Sequence, residues 1–185
     1  MYGRTEVGEA RIRGSAVQDL IRSWPPNSRK LAQALIRSYG MPHEATQSLL
    51  VWHYNGLWKR TILHRTGVPH NIPHPHTDLL EQTVDAMIPS DKYNDIIAFD
   101  GSILIDKTRG EMTAFCENEE ANRLILNLAH DIAIDKTTPK AARTFMNKFE
   151  GPIHAHWPNP YRDSLQFTST VLANNQDTMV TEQPN

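Results

Sequence analysis

Residues 49–65 read LLVWHYNGLWKRTILHR, and their pattern decides the fold. Leu49, Val51 and His53 fall on one side of an extended chain, and Leu50, Trp52 and Tyr54 on the other. Strand side chains repeat every two residues, so this is the alternation of a half-buried strand. Trp58 to Arg65 repeats it, with Trp58, Arg60, Ile62 and His64 opposite Lys59, Thr61, Leu63 and Arg65. Between the two runs lies Asn55-Gly56, a pair that tolerates positive φ and closes a tight antiparallel hairpin.

Working outward, the segment before the hairpin is helical. Asn27 or Ser28 can cap it, Leu31, Ala34, Leu35 and Tyr39 recur at helical spacing, and Gly40 with Pro42 ends it. After the hairpin, a His/Pro-rich connection leads to a third strand at Leu79 to Met87, closed by Pro89. Ser90 can cap a short helix to Phe99. Ser102 to Thr108 and Glu111 to Cys116 form a second hairpin around Arg109-Gly110. The longest helix is capped by Asn118 and runs to about Asp135, burying Leu124, Ile125, Leu128 and Ile132. Thr138 caps a last helix with Pro139 at its first position and Ala142, Phe145, Met146 and Phe149 as its apolar stripe. This order predicts an α+β fold, with an antiparallel or mixed sheet of about five strands and helices mainly on one face. The expected organisation is a flexible leader over residues 1–26 with at most a short helix (Val17 to Arg22), one domain over 27–151, and a mostly disordered tail over 152–185.

Composition narrows the function. Of 185 residues, 22% are charged and 39% hydrophobic, which permits a compact core. The net charge of −2 gives no electrostatic footprint for nucleic acid or an anionic membrane surface. No apolar run approaches the roughly 18 residues that span a bilayer. The single cysteine, Cys116, excludes a disulfide framework and any multi-cysteine metal site, so a cytoplasmic location is expected.

The densest chemistry is VPHNIPHPHTD, residues 68–78. Imidazoles and carboxylates are the usual ligands of a zinc-like ion. His74 and His76 on an extended strand would point the same way and Asp78 would join them as ligand or base, with His70 a further ligand or proton shuttle. The prolines oppose this. Pro73 and Pro75 favour a three-residue repeat that would turn His74 and His76 apart by roughly 120°, and they mark a loop or sheet edge. The fuller H-x-H-x-D-H arrangement of metallo-β-lactamases fails, because Leu79 follows Asp78.

Other constellations have plainer explanations. His154-Ala155-His156 could complete a site only if the tail folded back. His53 and His64 are not opposite one another across the hairpin, so half-buried sheet histidines with polar partners are expected. Trp52, Trp58 and Tyr54 with Lys59, Arg60 and Arg65 could stack single-stranded nucleic acid, though aromatic sheet packing under cationic side chains fits the charge better. Cys116, followed by Glu117, Glu119 and Glu120, reads as a small core residue, because acidic neighbours make a poor thiolate. No nucleophile elbow, phosphate loop or dinucleotide fingerprint is present.

The runs VWHYNGLWKRTILHRTGVPHNIPHPHTDLLEQTV, AFDGSILIDKTRGEMTAFC and NLAHDI resemble a family of small uncharacterised bacterial proteins, over about Leu31 to Phe149. The resemblance implies one unit of bacterial type and carries no activity. The sequence therefore points to a non-enzymatic binding or accessory module with a protein or small-molecule ligand and no cofactor. The alternative is a metal-dependent, hydrolase-like enzyme using a divalent transition metal such as zinc at His74, His76 and Asp78. Single-stranded nucleic-acid binding is a weaker alternative.

Overall fold

The computed structural model describes residues 13–149 and 158–168. Six strands form one antiparallel sheet: β1 (Glu44–Ala45), β2 (Leu49–Asn55), β3 (Trp58–His70), β4 (His76–Asp85), β5 (Leu104–Asp106) and β6 (Glu111–Cys116), in the order β1-β2-β3-β4-β6-β5. The fold is α+β, with one strand more than expected. The extra strand is β1, which pairs Glu44 with Val51 and Ala45 with Leu50. Two residues are too few to show an alternation.

The first hairpin forms where expected, but its turn is one residue later. Asn55 is the last paired residue of β2, opposite Trp58, and Gly56-Leu57 makes the turn, with positive φ at Gly56 (64°) and Tyr54 (50°) rather than at Asn55. The second hairpin turns at Gly110, also at φ 64°. His53 pairs with Arg60 and His64 with Leu49, so the two histidines are separated as expected. Each has a glutamate partner, Glu44 at 2.6 Å and Glu81 at 2.7 Å.

The helices are α1 (Gly14–Arg22), α2 (Pro26–Tyr39), α3 (Tyr93–Phe99), α4 (Glu119–Ala133), α5 (Pro139–Phe149) and α6 (Pro160–Asp163). A row of paired residues, Leu50, Leu63, Leu80 and Cys116, crosses four strands, and all four are buried. Its β2–β4 part packs with Val17, Ile21, Ala32 and Leu35 of α1 and α2. Its β6 end packs with Phe99, Leu124, Ile125 and Met146 of α3, α4 and α5. The adjacent row, Val51, Ile62, Glu81 and Phe115, belongs to the opposite face. Nearby, Lys59 and Arg60 both reach the carboxylate of Glu111, at 2.9 and 3.1 Å.

Asn118 caps α4 by accepting from Ala121 N at 2.9 Å, and Thr138 caps α5 by accepting from Ala141 N at 3.2 Å. The start of α2 differs from expectation. Pro25 is its N-cap and Pro26 its first residue. Ser28 instead donates to the carbonyl of Arg65 at 2.8 Å, pinning α2 to β3.

Two boundaries move. Residues 14–24 are part of the domain, not a leader: Val17, Ile21 and Trp24 are buried together against α2 and the sheet. Burying each such side chain is worth roughly 1.5–3 kcal/mol, which holds a nine-residue helix that would be marginal alone. At the other end, residues 158–168 are not tail. Asn127 of α4 donates to the carbonyls of Tyr161 and Ser164 at 2.9 and 2.8 Å and accepts from Gln166 N at 2.7 Å. His154 and His156 lie outside the described residues. The aromatic platform for nucleic acid is also corrected: Trp52 and Trp58 are buried, so neither can stack a base.

Candidate metal centre

The His/Pro segment is the end of a hairpin rather than a connecting loop. Strand β2 stops pairing at Leu49↔His64, but β3 continues to His70. The β3–β4 register shifts between Leu63 and Val68 and resumes as Val68↔Asp78, Pro69↔Thr77 and His70↔His76. Pro69 is tolerated because, among the described residues, β3 has no outer neighbour there. Gly67 makes the close approach possible. A Cβ at this position would sit 2.4 Å from the carbonyl oxygen of Asp78 and 2.5 Å from Thr77 Cγ2.

That register builds the site. His70 and His76 face each other across the ladder, with ring centroids 5.0 Å apart. Asp78 is two residues beyond His76 and so shares its face. Ligand atoms of His70, His76 and Asp78 all lie within 4.8 Å of one another. His70 Nδ1 is 3.1 Å from Asp78 Oδ2, and His76 Nε2 is 2.9 Å from Asp78 Oδ1. Of the residues expected as ligands, His76 and Asp78 converge. His74 does not, and His70 takes its place. The reason is that the group forms across two strands rather than along one.

His74 has a different role. Its carbonyl oxygen lies 2.7 Å from His76 Nδ1. A carbonyl only accepts, so Nδ1 carries a proton, and in a neutral imidazole Nε2 then presents its lone pair. Histidines that bind metals are commonly oriented this way. The rings of His74 and His76 lie 5.4 Å apart, not splayed by the prolines.

The electrostatics call for a cation. A neutral His76 would set its Nε2 lone pair against a carboxylate oxygen at 2.9 Å. A positive charge must sit on or between them, either a proton or a metal ion. A proton needs a straight hydrogen bond. Asp78 Oδ1 and His70 Nδ1 are both buried, and neither lies in straight hydrogen-bond alignment with a partner. His76 still acts on the Asp78 carboxylate as a bent hydrogen-bond donor as well as a charge. A metal ion sits off the N–O line and fits such a geometry. Tetrahedral zinc, with bonds of about 2.0–2.1 Å to nitrogen and oxygen, spaces its ligand atoms by about 3.3 Å. The two imidazole–carboxylate separations are a few tenths shorter, one to each oxygen of Asp78.

Asp78 is 3% exposed. Burial pushes its carboxyl above the ordinary range, against the pull of His70 and His76, and the charge of Asp100 pushes it up further. Asp100 is itself buried, its Oδ1 held by the backbone N–H and hydroxyl of Ser102. A cleft of about 400 Å³ between Asn27, Lys30 and Leu31 of α2 and Pro75, Thr77 and Leu79 of the hairpin borders the group at His76. The His76 side chain is only 2% exposed, and the His70 side chain 22%. The ligand atoms are thus reached from the His70 side.

The sequence missed Cys116 as a neighbour of the site. Its sulfur lies 3.4 Å from His76 Nε2, across 40 residues of chain. Comparison with protein-family models, with curated proteins and with solved structures finds no match to this chain.

Proposed function

We propose that this chain is a binding module whose ligand is one divalent transition-metal ion, held by His70, His76 and Asp78 at the end of the β3–β4 hairpin. One observation carries the reading: two imidazole nitrogens and a buried carboxylate converge within 4.8 Å, with Asp78 Oδ1 and His70 Nδ1 out of straight hydrogen-bond alignment. The donor set of nitrogen and oxygen suits zinc, cobalt, nickel or iron(II) better than magnesium or calcium, which prefer oxygen alone. Burial of His76 and Asp78 favours binding over turnover, since an enclosed ion offers little room to a substrate. Bound metal would tie β3 to β4 where β2 no longer supports them.

The test is calorimetric titration of the metal-free full chain with zinc, alongside metal analysis after dialysis. One zinc per chain is expected in the wild type, and a loss of at least a hundredfold in affinity in His70→Ala and Asp78→Asn. A wild type that retains no stoichiometric zinc, cobalt, nickel or iron would overturn the proposal.

A further inference from the structure

Resting on that reading, we infer that Cys116 is the fourth ligand, so that two histidines, one aspartate and one cysteine thiolate form a closed site selective for zinc-type ions. Three observations carry this. The first is position. Cys116 pairs with Leu80 across β4 and β6, and Leu80 is two residues from Asp78 on the same side of β4. The thiol therefore lies diagonally behind the carboxylate, on the face from which the imidazoles approach.

The second is distance. Sγ stands 3.4 Å from His76 Nε2, the nitrogen whose lone pair the His74 carbonyl leaves free. A zinc–sulfur bond of about 2.3 Å and a zinc–nitrogen bond of about 2.0 Å place the two atoms about 3.6 Å apart in a tetrahedral site. Nε2 can offer a lone pair to the thiol at 3.4 Å or an N–H to the carboxylate at 2.9 Å, but not both at once. A shared ion satisfies all of them. Cys116 falls outside the group whose ligand atoms all lie within 4.8 Å, so metal binding requires the thiol or the hairpin end to move inward.

The third is charge. A divalent ion with Asp78 and two neutral imidazoles leaves one positive charge on the ligand set, where Asp78 and Cys116 are 3% and 2% exposed. A thiolate cancels that charge in direct contact with the ion, whereas the buried Asp100 carboxylate acts only from outside the ligand set. The step balances simply. The S–H bond breaks, its electron pair becomes the sulfur–metal bond, and the proton leaves to solvent. Sulfur ligation also sets selectivity, because thiolates favour zinc and cobalt over manganese and magnesium.

Cobalt(II) reports the ligands directly. Titrated into the metal-free full chain, it should give intense visible bands of tetrahedral geometry together with a near-ultraviolet sulfur-to-cobalt charge-transfer band. Cys116→Ser should keep visible absorption, lose the charge-transfer band and bind at least tenfold more weakly. Visible bands without charge transfer in the wild type would overturn the cysteine assignment and leave the His/Asp site standing. No cobalt binding at all would overturn both. Since a core variant can fail to fold, X-ray absorption of the zinc-loaded wild type gives a second reading. One sulfur scatterer at about 2.3 Å is expected, and a first shell of nitrogen and oxygen alone would refute the inference.

Discussion

Gly67→Ala should damage both the stability of the domain and the proposed metal site. The added Cβ would meet Asp78 O at 2.4 Å, Thr77 Cγ2 at 2.5 Å and Leu79 Cδ2 at 2.8 Å. Nonbonded carbon contacts are comfortable near 3.5–4.0 Å, so β3 and β4 would have to part by about 1 Å. Ladder hydrogen bonds span roughly 2.7–3.2 Å and do not survive such a shift. Overpacking costs about 1–3 kcal/mol, and one lost ladder bond adds about 1 kcal/mol. A total near 2–4 kcal/mol lowers the melting temperature by roughly 4–16 °C in a chain of this size. The Val68↔Asp78 and His70↔His76 pairs are the next in register, so the ligands move apart with the strands. Zinc at a hundredfold excess over its dissociation constant stabilises the wild type by about 2.7 kcal/mol, and most of that increment should vanish in the variant. Gly101→Ala is the control, because nothing lies within 4 Å of its added Cβ. Neither glycine has positive φ, so backbone strain is not the variable. Melting curves with and without zinc decide the matter. If Gly67→Ala melts with the wild type and keeps its zinc shift, the close approach is not what positions the site.

Gly56→Val should cost about 1 kcal/mol or more in urea unfolding, since a β-branched residue resists the φ of 64° found there; an unchanged midpoint would contradict the turn. Asn127→Ala removes three hydrogen bonds that hold residues 161–166 to α4, and should cost about 1–3 kcal/mol while exposing that segment to proteolysis. Equal cleavage rates in wild type and variant would show that the clasp is idle. His130 stacks on Phe167 with centroids 4.2 Å apart, and burial lowers its pKa, partly offset by Asp131 and reinforced by Lys136. The folded state therefore binds this proton less readily than the unfolded one. Stability from this group is complete above about pH 6.5 and falls as the pH drops through that value toward the lowered folded pKa. His130→Gln should flatten that part of the stability profile, and a wild-type profile with the same slope in both proteins would refute the assignment.

How much was legible depended on whether a feature is local. Gly56, the Asn118 and Thr138 caps and Gly40 each act within a few residues, and each sits where its chemistry required, whereas Asn55 ends the strand instead of sharing the turn. Helix α1 carried a readable signal too. Val17, Ile21 and Trp24 recur at helical spacing, but the polar residues around them, with Arg11, Arg13 and Arg22, hid it behind the look of a leader.

The metal centre was legible in composition and hidden in phase. His74 and His76 are neighbours in sequence and invited pairing along one strand. The structure pairs His70 with His76 across two, and that choice depends on how many residues the turn consumes and on the register shift between Leu63 and Val68. Prolines at 69, 73 and 75 looked like breakers of a strand, whereas an outer edge without a neighbour accommodates Pro69. One local clue existed: an isolated glycine inside a strand pattern marks a bulge or a close approach of backbones. Gly67 is both, and taking it as such would have carried β3 on to His70. From there the logic closes. A hairpin that pairs His70 with His76 must place Asp78 on the same face, and a sheet that pairs Leu80 with Cys116 must bring the one cysteine of the chain beside it. Each residue alone has an ordinary structural explanation; the case for a metal rests on His70, His76 and Asp78 converging at one sheet end, with the Cys116 sulfur beside His76.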